Sequence, residues 1–193
     1  MQAKKLLTLA LPALVVIILD QVTKYIVRTT PAFQNWEIIP GWLVFHYTLN
    51  PGMAMGMDWL STEWVSVVSI VATLGILGYV LYTISYAGYG YLFCMGLVLG
   101  GAFGNIIDRL AMGIVGGYGG VLEGHVIDFI YFSATINGYP VFPYIFNVAD
   151  IAITTAIIAL ILFHKKILPE VENESEEQHS ETNSTIPTEE KVI

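Results

Sequence analysis

The chain has 193 residues, 55% of them hydrophobic and only 12% charged. Soluble globular domains carry about 25% charged residues, so an ordinary soluble domain is excluded, as are a disordered chain, a collagen-like repeat and a disulfide scaffold. The formal net charge is −8 and the sequence pI is near 4.8, but residues 170–193 hold eight glutamates against the single Lys191, while residues 1–169 hold eight acids and seven bases. The body is nearly neutral, and the acidity belongs to the tail.

In chain order, Lys4 and Lys5 precede the apolar run Leu6–Leu19. No convincing small-residue cleavage site lies near Asp20, so the run reads as an uncleaved first span rather than a secretory signal. A membrane span needs about 20 mostly apolar residues. Four segments fit: roughly Leu6–Ile26, Val65–Tyr82, Gly88–Ile107 and Tyr144–Phe163. An even number of spans puts both ends on one side. Lys4 and Lys5 before the first span, and His164, Lys165 and Lys166 after the fourth, mark that side as cytoplasmic. Lys24, Arg28 and Arg109 lie toward the other face and argue weakly against this; internal roles are assigned to them.

Residues 28–64 include Trp36–Ile39 and Trp42–Leu49 around Pro40-Gly41, which predicts a hairpin. Trp36, Trp42, Trp59 and Trp64 all fall in this segment, as expected of rings at the lipid–water boundary. Cys94 is the sole cysteine, so no intrachain disulfide is possible; in an apolar run it reads as a packing residue. Gly96, Gly100 and Gly104 recur every four residues, a face on which another helix can approach closely. Residues 110–143 contain the run Gly116–Gly120, read as a flexible loop and a candidate lid. From Pro169 onward the chain is too polar to bury a core and is predicted disordered. The sequons at Asn173 and Asn183 read as chance on a cytoplasmic tail. The expected architecture is thus membrane all-α. A four-transmembrane-helix bundle covers residues 1–168, with a small extracytoplasmic β-hairpin or sheet platform, and an acidic disordered cytoplasmic tail covers 169–193.

Charged groups beside membrane spans are costly and default to functional hypotheses. Asp20 and Lys24 are spaced i, i+4 and read as a structural ion pair. Asn105, Asp108 and Arg109 share a face at the outer end of the third span. Asn147 and Asp150 are i, i+3 at the outer end of the fourth, and Asp128 sits in an apolar stretch just outside the membrane. Four acids and two asparagines therefore converge at one depth. Structural hydrogen bonds explain one or two such groups; Asp128 and Asp150 both lack an obvious local basic partner. Two neighbouring carboxylates share a proton and titrate as a unit, which supplies a general base and a general acid for amide hydrolysis. Other peptidase chemistries fit less well. There is no His-Glu-x-x-His or Gly-x-Ser-x-Gly motif, and His125 with Asp128 makes too few ligands for a metal. A proton-coupled transporter and a non-catalytic assembly subunit are the competing classes. The first lacks the expected internal repeats and broken helices; the second predicts that Asp150 tolerates replacement. A presenilin-like protease would need a Gly-x-Gly-Asp motif, which does not occur.

Five motifs together resemble those of the bacterial lipoprotein signal peptidases (signal peptidase II). They are Asp20-Gln21-Val22-Thr23-Lys24, Asn50-Pro51-Gly52-Met53-Ala54, the run Gly100–Arg109, Val126-Ile127-Asp128-Phe129, and Phe146-Asn147-Val148-Ala149-Asp150. Each motif is weak alone; five in order on four spans are specific. The resemblance covers roughly residues 1–166. It implies an aspartic endopeptidase with Asp128 and Asp150 as the catalytic pair. Asn50, Asn105, Arg109 and Asn147 would line the substrate cleft, and Asp20, Lys24 and Asp108 would support its geometry. It further implies cleavage before a diacylglyceryl-modified cysteine of prolipoproteins, with no metal or organic cofactor. The implied partners are lipidated prolipoproteins, membrane lipids and globomycin-type cyclic peptides, with no nucleic acid, for a monomer in the bacterial cytoplasmic (inner) membrane whose site is near the outer face. The stretch from Arg109 to Asp128 is longer than usual in the family, and the acidic tail is not part of its pattern.

Overall fold

A computed structural model describes residues 1–52 and 61–164. Met53, Ala54, Trp59, Lys165, Lys166 and the acidic tail with its expected disorder lie outside the described residues. Four helices, α1 (Gln2–Thr29), α2 (Thr62–Thr83), α3 (Tyr89–Gly116) and α4 (Val148–Leu162), alternate in direction. The first three are long and apolar enough to cross a membrane. The fourth has 15 residues, about 22 Å of helix, and is shorter than the predicted span.

The buried residues of α1 fall on one stripe that includes Lys5, Asp20 and Lys24. Its exposed face carries Leu7, Leu11, Leu14 and Ile18. This reverses the pattern of a helix in water and suits a helix whose outer face meets lipid. At the end of the bundle where α1 begins, Lys5 Nζ donates to the Ser85 carbonyl at 2.6 Å, tying α1 to the α2–α3 connection.

Two predicted boundaries move. Asp108 and Arg109 suggested a membrane exit near Ile107, yet α3 continues nine residues further. Both side chains are buried and partnered, so neither ends the helix. The stop is Gly117, at φ +71°, whose N–H caps the carbonyls of Gly113 and Ile114, a left-handed termination that glycine permits. The fourth helix starts at Val148 rather than Tyr144, because Ile145–Phe146 is a strand and Asn147 caps the helix. The Gly116–Gly120 run, expected to be flexible, folds back onto α3: Tyr118 N and Gly119 N both donate to Gly113 O at 3.1 Å.

At the other end, β1 (Asn35–Ile39), β2 (Leu43–Asn50), β3 (Val126–Phe132) and β6 (Ile145–Phe146) form an antiparallel sheet in the order β1-β2-β3-β6. The predicted hairpin is β1–β2, turning at Gly41 with φ +71°. Between β3 and β6, β4 (Thr135–Ile136) and β5 (Tyr139–Pro140) make a second, smaller hairpin. Ile127 and Phe129 of β3 pack with Val27 of α1 and Met112 of α3, which seats the sheet on the bundle. Successive strand residues face opposite ways, so Asp128 points away from this cluster.

The glycine stripe of α3 is a contact face. A Cβ at Gly96 would overlap the Leu9 carbonyl, one at Gly100 would lie 2.7 Å from Ala13 O, and one at Gly104 would lie 2.6 Å from Asp20 Oδ2. Gly101, on the adjacent face, meets Ala149 of α4 in the same way. Gly100→Ala is therefore expected to cost about 1–3 kcal/mol through overpacking. Gly75→Ala, where nothing lies within 4 Å, is expected to stabilise by up to about 1 kcal/mol. Thermal unfolding in detergent compares the two; equal effects would show that the stripe makes no close contact.

Candidate active site

The nine residues singled out from the sequence come together at the end of the bundle where the sheet sits, six of them buried and Asn50, Asn105 and Asp150 half-buried; all but Arg109 join one polar network. Its centre is Lys24. The ammonium lies 2.8 Å from Asp20 Oδ2, 2.9 Å from Asp108 Oδ2 and 2.9 Å from Asn105 Oδ1, so its three donors have three acceptors. The expected i, i+4 pair thus exists, but Asp108 makes it a triad. Asp20 Oδ1 also accepts Ala149 N at 3.0 Å and fixes the first turn of α4 to α1. Asp108 Oδ2 accepts Ile127 N at 3.0 Å and fixes β3 to α3. Gly124 brings the chain close enough for this: its N–H donates to Arg109 O at 3.1 Å, and a Cβ there would overlap the Asp108 carbonyl.

From Lys24 the polarity passes outward through amides whose orientations are forced. Lysine can only donate, so Asn105 must turn Oδ1 toward it; Asn105 Nδ2 then faces Asp150 Oδ1 at 3.0 Å. Asn147 is the N-cap of α4. Its Oδ1 accepts Asp150 N at 3.0 Å, while its own N–H donates to Asp150 Oδ2 at 3.1 Å, a reciprocal capping box. Asn147 Nδ2 must therefore face acceptors, and it donates to Asp128 Oδ1 at 2.7 Å and to Asn105 Oδ1 at 3.0 Å. Asn50 Oδ1 accepts Gly52 N at 2.8 Å, leaving Asn50 Nδ2 to donate to Asp128 Oδ2 at 2.9 Å. The one residue Asn147 thus bridges both carboxylates, through its side chain to Asp128 and its backbone to Asp150. Arg109 Nη1 donates to Pro51 O at 3.4 Å, within Coulomb range of Asp128, Asp108 and Asp150.

Asp128 is 3% exposed. Burial pushes its carboxyl up to about 6; the Asn50 amide opposes the rise, and the charge of Asp150 adds to it. Beside the network lies an open groove of about 530 Å³. Trp42, Phe142 and Phe146 line it from the sheet side and Ile151, Thr154 and Thr155 from α4, with Asp150 among the lining residues. Asp128 does not line it, and none of the described lining residues belongs to the glycine loop expected as a lid. Among the described residues, no group of three or more His, Cys, Asp or Glu side chains could hold a metal ion.

The sequence reading gave no role to Gln21, whose Nε2 donates to Asp20 Oδ2, Gly104 O and Asp108 Oδ1 at 3.0–3.2 Å. Its place beside Asp20 was the available signal. Gly52 was also missed as a site residue: with φ +103°, a Cβ there would lie 3.1 Å from Arg109 Nη1. Nothing in the local sequence marks Gly124, because its partner is the backbone of a distant helix.

Three long apolar helices with a small sheet at one end are the architecture of a membrane protein, and the two amide-bridged carboxylates are its candidate site. The signal peptidase (SPase) II family matches residues 12–165, and the chain belongs to that family, as an aspartic endopeptidase. The lipoprotein signal peptidase of Chlorobaculum tepidum is 35% identical over 162 residues, covering 80% of this chain and 92% of that one. The lipoprotein signal peptidase of Chlorobium phaeobacteroides is 37% identical over 166 residues, covering 82% and 90%. A bacterial membrane enzyme solved by the in meso method at 1.9 Å resolution is similar, with TM-score 0.61, 31% identity, and coverage of 81% of this chain and 91% of that one.

Removing one partner of a buried ion cluster leaves the others uncompensated, which typically costs about 3–5 kcal/mol. Lys24→Met is expected to destabilise the protein by about that amount in thermal unfolding in detergent. A loss under about 1 kcal/mol, the range of an exposed pair, would show that the triad does not hold the helices.

Proposed function

We propose that the chain removes signal peptides from diacylglyceryl-modified prolipoproteins, cutting before the lipidated cysteine, with Asp128 and Asp150 as the catalytic pair. The observation that carries this reading is the double bridge by Asn147, which holds two carboxylates from different elements against one residue. In the proposed mechanism the pair holds one proton, on Asp128. Asp150 takes a proton from water as the water oxygen bonds to the scissile carbonyl carbon, and Asp128 gives its proton to the carbonyl oxygen. Asp150 then protonates the amide nitrogen. The C–N bond breaks, and a hydroxyl of the collapsing intermediate returns a proton to Asp128. Both carboxyls end as they began, and no other reactant is consumed.

Asn50, Asn105 and Asn147 hold the pair in place, and Arg109, beside the Pro51 carbonyl, is assigned to the peptide's path. The apolar groove along α4 is the proposed seat of the substrate's lipid-bearing side and of globomycin-type cyclic peptides. We assign four crossings, with α4 as the fourth; after Asp150 its remaining residues carry no charge. Lys4 and Lys5 support a cytoplasmic side where α1 begins, which puts the sheet and the pair at the outer face. Burial of Lys24 and Arg109 removes two charges that would otherwise vote against this orientation.

Two outcomes test the reading. The purified protein is expected to cleave a lipidated precursor and to leave its unlipidated control intact. Asp128→Asn and Asp150→Asn are each expected to lower turnover at least about 100-fold, the lower end of general acid–base contributions, with the unfolding transition retained. Turnover surviving in either folded variant would remove that residue from the pair. The second outcome concerns pH. Because Asp128 holds its proton up to about 6, raising the pH through that value leaves two carboxylates and no acid. A fall in kcat/KM as pH rises through about 6 is therefore expected; a flat profile, or one rising there, would assign the shared proton elsewhere.

A further inference from the structure

Residues 129–149 contain seven aromatic side chains and no Asp, Glu, Lys, Arg or His. An extramembrane loop in water normally carries charge, and this one carries none over the whole path from β3 to α4. Phe129 is buried, but around the β4–β5 hairpin the apolar side chains turn outward. Ile136 and Tyr139, on either side of the Asn137-Gly138 turn, are 66% and 77% exposed, and Val141, Phe142 and Tyr144 are exposed as well. Contiguous exposed apolar surface of this kind marks an interaction surface.

The groove shows what covers it. Val141 and Phe142, just after β5, line one wall, while Ile151 and Thr155 of α4 line the other. The base of the hairpin therefore stands alongside the first two turns of α4, about 8 Å of helix from Asp150 to Thr155. Those turns belong to an apolar helix whose exposed side chains, Ile151, Ile157 and Ile158, require lipid. Whatever surrounds the start of α4 surrounds the wall facing it. The backbone limits how deep that wall can go. Ile136 pairs with Tyr139, and Val141 N donates to Ala134 O, but a two-stranded ribbon keeps unpaired edges that hydrocarbon does not tolerate. The glycerol-ester level satisfies both demands, offering apolar contact for the rings and acceptors and water for the edges, and aromatic residues concentrate there.

We propose that the β4–β5 hairpin is a membrane wedge, seated at the glycerol-ester level of the leaflet on the sheet's side. It makes one wall of the groove continuous with lipid. This surface is independent of the peptidase chemistry, and it stands or falls without any measurement of cleavage.

Hydroxyl-radical footprinting of the wild-type chain in lipid nanodiscs tests it. Tyr118 is the internal reference. It is only 43% exposed, and its ring lies against Gly116, the last residue of α3, about 12 Å past Asp108 along the helix. By exposure alone Tyr139 should be oxidised more than Tyr118. A wedge predicts the reverse, with Tyr139 labelled several-fold less than Tyr118 in discs holding one copy. Labelling in the order of exposure would overturn the proposal. So would protection of Tyr139 confined to discs holding two copies, which would place a second chain on the hairpin instead of lipid. A nitroxide attached at Ile136→Cys, in a Cys94→Ala background, gives a second reading: collisions with oxygen should exceed those with a water-soluble nickel chelate. The opposite ratio would overturn the wedge.

Discussion

The site depends on a single buried ammonium. Lys24 is 1% exposed, in a part of the molecule where an isolated charge costs several kcal/mol. It is tolerable only because Asp20, Asp108 and Asn105 all reach it. Those three acceptors come from two helices, and each carboxylate has a second obligation. Asp20 also holds Ala149 N at the start of α4, and Asp108 also holds Ile127 N in β3. One charge thereby fixes the relative positions of α1, α3, α4 and the sheet. The same charge decides which way Asn105 points, and through Asn105 and Asn147 it orients the amides that meet Asp150 and Asp128.

Such an arrangement needs backbones closer than side chains usually allow. Lys24 can reach Asp108 across the α1–α3 interface because Gly96, Gly100 and Gly104 remove the side chains that would hold the helices apart. Gly101 does the same for α4, and Gly124 for the chain leading into β3. In lipid, where burial of apolar area gives helices little reason to associate, close packing and polar contacts supply the attraction. The glycine face and the ion cluster are therefore two halves of one device: the first permits the distance, and the second rewards it.

Much of this was legible in the chain. The pair of Asp20 and Lys24, the Pro40-Gly41 turn and the glycine stripe are local patterns with a fixed geometric meaning, and each lies where it was placed. The convergence of Asn105, Asp108, Asn147 and Asp150 followed from spacing on helix faces. The misjudged boundaries have a common cause. Asp108 and Arg109 look like a membrane exit, because a sequence cannot show that a charge is paired across 80 residues. Tyr144–Phe146 looks helical by hydropathy, although Asn147-Val148-Ala149-Asp150 spells an N-terminal capping box that sets the true start. Asn137-Gly138, the strongest short hairpin signal, was passed over inside an aromatic stretch. Orientation of the three asparagines was beyond reach, since it depends on donors supplied by Lys24, Gly52 and Asp150.

Four carboxylates, those of Asp20, Asp108, Asp128 and Asp150, share this region with two cations, Lys24 and Arg109. Lys24 is bonded to the first two, and Arg109 lies within Coulomb range of Asp108 and of the second two. A carboxyl that keeps its proton lessens the imbalance, and burial pushes Asp128 toward that state. Position separates the two carboxyls as well. Asp128 is enclosed by Asn50 and Asn147 and does not line the groove, whereas Asp150 belongs both to the hydrogen-bonded network and to the groove wall. Among the groove's described lining residues, Asp150 is the only charged one, so it joins the apolar surface to the polar machinery. The helix turn that starts α4 thus divides two environments: amides and ions on the side of Asn147, and aromatic and aliphatic surface on the side of Ile151. In the proposed reaction a bond to be hydrolysed and an attached lipid make opposite demands on solvent, and this division is what lets adjacent residues meet both.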